Sequence, residues 1–258
     1  MTAPASHLIR EGAKALEFLH LAFLQVLVTQ VDPARYVVKG GANLRLFYDS
    51  PRRSQDMDLD IIGSESWAIE DRVDLVLNGR LFGDLLSLGG ITMSVPTKPK
   101  QTDTTRRWKF TVGVPGGHLN SKIEFSARPH VDSEYQLDIV TSAVGRAAGL
   151  RAIRVQRYLP PAAIRQKIRA LADRSQTEPR DVFDLDLLFA KFPAAVAKGD
   201  VAPETIERAT TALFGIDHEA FEALVVDFLE DEYVALYQRR EVWEEMVLKV
   251  SEALQGLA

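Results

Sequence analysis

Residues Asp56-Met57-Asp58-Leu59-Asp60-Ile61 alternate strictly between carboxylate and apolar side chains. Successive side chains of a strand point to opposite faces. The segment therefore reads as a half-buried strand, with Met57, Leu59 and Ile61 in a core and Asp56, Asp58 and Asp60 together on the other face. Three carboxylates in a row repel one another, so that face must be reached by solvent or by a cation. Hard oxygen donors at this spacing suit Mg2+, or Mn2+ in its place, held by one or two carboxylates together with substrate phosphates.

Two further segments extend this pattern. The apolar run Tyr36-Val37-Val38 ends at Lys39-Gly40-Gly41, and Ala42 to Tyr48 has helical spacing. A strand that turns into a helix through two glycines leaves backbone N–H groups open to a phosphate, at the helix end that favours negative charge. Lys122-Ile123-Glu124-Phe125 alternates again. If it lies beside the acidic strand, Glu124 completes a three-carboxylate cage. Two metals ~3.5–4 Å apart in such a cage can clamp the attacking and leaving oxygens of an in-line displacement.

The rest of the first half reads as a helix over 6–30, a helix over 66–88, strands near 91–95, 107–114 and 119–126, and a strand pair at 136–141 and 151–155. Pro115-Gly116-Gly117 is a turn signal, and the polar stretch 96–106 reads as a mobile loop. From Pro160 the texture becomes helical: one helix runs to about Arg174, another from Pro179 to about Phe192, and two or three more fill 203–256. The expected architecture is α+β, a mixed sheet with helices over 1–157 followed by a C-terminal helical bundle over 158–258. With 258 residues, 46% of them hydrophobic, the chain can build a real core. It has no cysteine, which excludes disulfides and thiolate metal sites and fits a cytoplasmic setting. The apolar run in 18–28 is interrupted around by Glu11, Lys14, Glu17, His20 and Gln25, so it reads as a buried helix and not a membrane span or signal peptide. The net charge is -5, yet residues 146–180 are rich in arginine. That segment is either an anion-binding surface or a solvated basic face.

The segment Lys39-Gly40-Gly41-Ala42-Asn43-Leu44-Arg45, followed by Ser54-Gln55-Asp56-Met57-Asp58-Leu59-Asp60, resembles the AbiEii / MenT group of nucleotidyltransferase toxins. The likeness continues at Leu159-Pro160-Pro161, at Gln166-Lys167-Ile168-Arg169-Ala170-Leu171 and at Arg180-Asp181-Val182-Phe183-Asp184-Leu185. It spans residues 38 to about 188. Two departures stand out. Ala42-Asn43 occupies the place of a usual threonine and variable residue, and Gly41 replaces the serine of the wider polymerase-beta-like superfamily, so that backbone N–H groups must suffice for a phosphate. The gap from Gly41 to Asp56 is also slightly long for that superfamily, which favours Asp56 and Asp58 as the metal pair.

The resemblance implies a nucleotidyltransferase core over 1–157. It also implies a helical domain that brings Lys167 and Asp181 to the cleft. The activity it implies is transfer of a nucleoside monophosphate from an NTP to an RNA 3′ end, tRNA in some members, by the toxin of a bacterial type IV toxin–antitoxin or phage-defence pair with a cognate antitoxin. On this reading Asp56, Asp58 and Glu124 hold metal, and Glu124 can also serve as base. Lys39, Gly40, Gly41 and Arg45 contact the nucleotide, and Lys167 meets its triphosphate as a point charge. Arg151, Arg154 and Arg157 hold the RNA backbone. Arg45 and Arg53 can instead pair with the acidic strand, and Asp181, with Arg180, Asp184 and Lys167, can instead form an internal network. His118 and His130 read as loop residues. The rival functions are nucleotide transfer to a protein hydroxyl and a catalytically inactive RNA-binding or interaction protein.

Overall fold

In the computed structural model, which describes residues 3–63, 66–114, 117–127, 134–140, 142–147 and 149–258, the first element is helix α1 (Ala3–Gln30). Its side chains Leu16, Leu19, Leu24, Leu27 and Phe23 are fully buried. By length and composition Leu8–Gln30 could cross a membrane, but 72% of its apolar window is buried in the protein. Such burial is the mark of a core helix. It packs against a mixed sheet and against three helices of the same unit.

The chain then forms β1 (Tyr36–Lys39), α2 (Gly40–Phe47), β2 (Met57–Ile61), α3 (Ser66–Leu77) and α4 (Arg80–Leu88). It continues through β3 (Thr92–Met93), β4 (Thr97–Thr102), β5 (Thr105–Val114), β6 (Gly117–Ser126), β7 (Tyr135–Ile139), α5 (Ala143–Ala147) and β8 (Arg154–Tyr158). The strands make one sheet in the order β3-β5-β6-β2-β1-β8-β7, with β4 paired to β5. β2 runs antiparallel to β1 and parallel to β6. The alternation of β2 does what its period requires: Met57, Leu59 and Ile61 enter the core with Trp108, Ile123 and Phe125, beneath which α1, α3 and α4 pack.

Three expectations change in this part of the chain. The helix expected over 66–88 is two helices, broken at Asn78-Gly79, where a side chain on Gly79 would stand 2.6 Å from the Leu75 carbonyl oxygen. The stretch expected as a loop at 96–106 contains β4, an edge strand whose side chains almost all face solvent, so no apolar alternation announces it. Pro99 falls where the register shifts between Thr97 and Lys100, which is how an edge strand tolerates proline. His118 lies on β6 and not in a loop. His130 and the turn at Pro115-Gly116 lie outside the described residues.

The chain divides into two compact units, one built from the residues up to Asp49 and Arg53–Tyr158, the other from Leu159–Ala258 together with Ser50–Arg52. The second unit holds α6 (Pro160–Asp173), α7 (Pro179–Lys191), α8 (Pro203–Leu213), α9 (His218–Leu224), α10 (Asp231–Tyr237) and α11 (Arg240–Leu257). Prolines at the first turn open α6, α7 and α8, where a missing N–H costs nothing. Four helices follow residue 203, not two or three. Asp217 caps α9 by accepting a hydrogen bond from Ala220 N, and Gln238-Arg239 separates α10 from α11. Around them α6, α7, α8 and α11 pack together, with Phe221 stacked on Trp243 at 4.6 Å.

Candidate active site

The pairing of β2 with β6 places Asp58 opposite Glu124, and that of β1 with β2 places Lys39 opposite Asp58. Residues opposed across a ladder share a face, so the carboxylates of β2 meet Glu124, the one carboxylate of β6, on the side away from α1. Asp56, just before β2, is held by Lys122 N, which donates to its Oδ1 at 3.1 Å. The acids do not repel unopposed. Lys122 Nζ lies 2.8 Å from Asp58, 3.5 Å from Asp56 and 3.9 Å from Glu124. Arg107, opposite Glu124 on β5, pairs with Glu124 as well. Desolvation works to lower the Lys122 pKa, but Asp58 above all, with Asp56 and Glu124, holds it above the ordinary lysine value.

Asp60 behaves differently from its two neighbours. It is 8% exposed, pairs with Lys39, and accepts a hydrogen bond from Tyr158 Oη at 2.8 Å. Asp58 is the most open of the acids, with 32% of its side chain exposed. The alternation of β2 placed all three on one face but could not say which would be sealed by a tyrosine from β8.

Gly40 supplies the turn from β1 into α2 at φ 63°, a conformation that disfavours any side chain. A Cβ at Gly40 would stand 3.8 Å from Asp58 Oδ2, so the helix start and that carboxylate are neighbours. No side chain caps α2, and its first N–H groups remain available to an anion. Beside the carboxylates an open groove of about 490 Å3 is lined by Gln55, Asp56, Lys109, Asn120, Ser121 and Lys122, among others.

The donor chemistry fits a hard divalent cation, since three carboxylate side chains converge on one positive charge. As they stand, no three acids or histidines among the described residues form an ion cage by themselves; the centre is taken by the Lys122 ammonium. Lys122 is the residue of the cluster that sequence reasoning passed over. Its signal was the same period of two: two residues before Glu124, it must share that residue's face.

Several of the other expected site residues are engaged inside their own units, and the side chains of Arg151 and Arg154 are not. Arg45 Nε donates to Glu17 Oε2 at 3.0 Å, Arg53 reaches the same oxygen at 3.4 Å, and Ser142 Oγ donates to Glu17 Oε1, so both arginines meet a buried acid of α1. Arg157 lies over the rings of Phe47 and Tyr48, at 5.6 and 5.0 Å, and donates to Asp138. Arg146, Arg151 and Arg154 are exposed, with no ion pair among the described residues. In the helical unit Lys167 Nζ lies 2.8 Å from Asp181 and 2.6 Å from Asp184, and Arg174 and Arg52 complete the cluster on Asp181 and Asp184 respectively. Both aspartates are wholly buried. Burial works to raise the Asp184 pKa, but Arg52 and Lys167 hold it below the usual carboxylate range.

His20, on α1, is buried and its Nε2 has no hydrogen-bond partner. Desolvation pushes its pKa down to about 4, against the opposing pull of the Asp58 charge.

These features can be set beside known proteins. JHP933 from Helicobacter pylori is 20% identical, over 93% of this chain and 93% of that one, with a TM-score of 0.54. A candidate nucleotidyltransferase from H. pylori is 17% identical over 96% of this chain and 98% of that one, with a TM-score of 0.53. At these identities the likeness shows the fold. A search of curated protein sequences finds no match. The family model described as "Nucleotidyl transferase AbiEii toxin, Type IV TA system" matches residues 22–255, which takes in the glycine turn, both acidic strands and nearly all of the helical unit. The chain belongs to the AbiEii family of nucleotidyltransferase toxins of type IV toxin–antitoxin systems.

Proposed function

We propose that this enzyme transfers a nucleoside monophosphate from an NTP to the 3′-hydroxyl of an RNA, tRNA above all, the new bond forming at the α-phosphorus as the bond to pyrophosphate breaks, with Mg2+ or Mn2+ held by Asp56, Asp58 and Glu124. Family membership already implies a nucleotide as substrate and an antitoxin as partner. The observation that carries the finer reading is the convergence of Asp56, Asp58 and Glu124 on a single cation, beside the uncapped start of α2. A divalent cation bound there supplies charge neutralisation for an in-line displacement at phosphorus.

The chain's own residues do the positioning. Gly40 and Gly41 present backbone N–H groups to a phosphate next to Asp58, with Lys39 held close by through Asp60. Glu124 lies within the same cluster, where it can ligate metal or accept a proton from the attacking hydroxyl. The groove beside Asp56 and Lys122 offers the reacting ends of the substrates a place against the carboxylates. Arg45 serves as an anchor of α2 to α1 and leaves nucleotide contact to the glycine turn. Lys167 meets the triphosphate only if it gives up part of its hold on Asp181 and Asp184. The exposed Arg151 and Arg154 are the RNA contacts of this reading, and Arg157 supports the fold beneath them. A cytoplasmic place of action and a role in phage defence accompany this proposal.

The test is incubation of the protein with each labelled NTP, Mg2+ and total RNA, resolved on a denaturing gel. The reading expects label in RNA that ribonuclease releases and protease does not. Label that stays with protein after ribonuclease moves the assignment to a protein hydroxyl.

A further inference from the structure

We propose that Lys122 is the resident counter-cation of the carboxylate cluster, and that its ammonium must leave Asp56 and Asp58 before a divalent cation can bind, turning instead to the phosphates of the nucleotide. This deepens the reading above and rests on it.

The case begins with register. Lys122 and Glu124 are two apart on β6 and share a face, and Glu124 stands opposite Asp58. The lysine is thus placed by the ladder itself between the two acidic strands. Its Nζ sits 2.8 Å from Asp58, 3.5 Å from Asp56 and 3.9 Å from Glu124. An ammonium satisfies carboxylates at such distances, whereas Mg2+ needs its oxygens at about 2.0–2.1 Å in a near-octahedral shell. The two cations cannot occupy the same centre, and side by side they repel. Of the other cations on this face, Lys39 is held on Asp60 and Arg107 on Glu124, while Lys109, opposite Lys122 on β5, lines the groove.

Lys122 also has somewhere to go. Its side chain is 25% exposed and lines the open groove together with Asp56, Lys109 and Asn120. A lysine carries its charge on a flexible four-carbon stem with rotatable donors, unlike the planar fork of arginine. The start of α2, next to Asp58, is where a phosphate is favoured. An ammonium released from Asp58 needs only a small rotation to meet a phosphate held nearby. The consequence is coupling: in the absence of nucleotide Lys122 competes with metal, and in its presence Lys122 gains a new partner. Each ligand therefore assists the other through one side chain.

The experiment measures Mn2+ affinity of the full chain by electron paramagnetic resonance, with and without a non-hydrolysable NTP analogue, for the wild type, Lys122→Met and Asp58→Asn. Without nucleotide, Lys122→Met is expected to bind Mn2+ about tenfold or more tightly than the wild type, because a competing charge is gone. With Mn2+ saturating, its affinity for the analogue is expected to fall by about tenfold or more, the loss of one charge-assisted hydrogen bond. A merely structural lysine would leave metal affinity unchanged or lower it. Lys122→Gln, similar in length and uncharged, repeats the measurement if the methionine variant does not fold. The proposal is overturned if the wild type binds Mn2+ through Asp58 in the presence of analogue while neither Lys122 variant binds metal more tightly. If the wild type binds no Mn2+ even with analogue, and Asp58→Asn changes nothing, the metal-dependent reading falls and this proposal falls with it.

Discussion

Among the clusters of opposed charge in the described residues, two differ most plainly in what water can reach. The cluster on β2 and β6 joins Asp56, Asp58 and Glu124 to Lys122 at the edge of an open groove, with Asp58 about a third exposed. The cluster on α6 and α7 joins Asp181 and Asp184 to Lys167, Arg174 and Arg52, with both aspartates at 0% exposure. An exposed ion pair is weakly held, because water competes for each partner and little is lost when it opens. A buried one is costly to break, because the charge left behind has no water to turn to. The same residue types thus make an exchangeable site in one place and a structural lock in the other. A family motif marks both places, but only exposure separates a group free to exchange its partner from one that holds helices together.

The largest expected effect is on the lock. Asp184→Ala leaves Arg52 and Lys167 short of their shared partner in a dry interior. It is expected to lower stability by about 3–5 kcal/mol, read by denaturant unfolding. Lys167→Ala leaves Asp181 to Arg174 alone and Asp184 to Arg52 alone, and is expected to cost less, about 1–3 kcal/mol, so its transfer activity must be read at a temperature where the variant is still folded. If either variant unfolds like the wild type, the cluster is not a lock and Lys167 is free for substrate.

Acid should act on the core beneath the open cluster. His20 titrates near 6.5 in an unfolded chain but only near 4 in the folded one. Between those values the unfolded state binds more protons, so stability that is fully present above pH 6.5 is lost as the pH falls toward 4. The loss attributable to this residue is about 3 kcal/mol. The difference in unfolding midpoint, wild type minus His20→Leu, should fall steadily as the pH goes from about 7 to about 4.5. Parallel curves would mean that His20 is not held neutral by burial.

How far the sequence foretold all this depends on which physical link is asked about. The alternation over Asp56–Ile61 and the glycines at 40–41 were legible because local period and backbone freedom decide them. The edge strand at Thr97–Thr102 was not, since a strand exposed on both faces carries no apolar rhythm. The face of Asp60 was readable, but its sealing by Tyr158 was not, because that contact depends on β8 joining β1. Arg157 read as an RNA contact in a run of arginines, yet ring faces 109 and 110 positions earlier capture it. Cations choose partners through tertiary structure, so a charge run in sequence overstates what a ligand can find.

The smallest effects should come from the remaining free arginines. Arg151→Glu with Arg154→Glu removes two exposed cations that hold nothing inside the protein, and stability should stay within about 0.5 kcal/mol of the wild type. RNA binding should weaken and its salt dependence flatten, each lost phosphate contact removing roughly 0.7–0.9 from the slope of log affinity against log salt. Arg157→Glu should instead destabilise the protein. RNA binding that is indifferent to the double reversal would place the acceptor elsewhere.

The contrast between exchangeable site and lock meets its most direct test at Asp58. Transfer from labelled NTP to RNA by Asp58→Asn, measured beside the thermal unfolding of the same preparation, separates the two roles in one pair of readings. The account predicts transfer reduced by about a thousandfold or more with an unfolding midpoint within a few degrees of the wild type, because the side chain is partly exposed and its pair with Lys122 is replaceable by water. Transfer near the wild-type rate in a folded Asp58→Asn protein would contradict it.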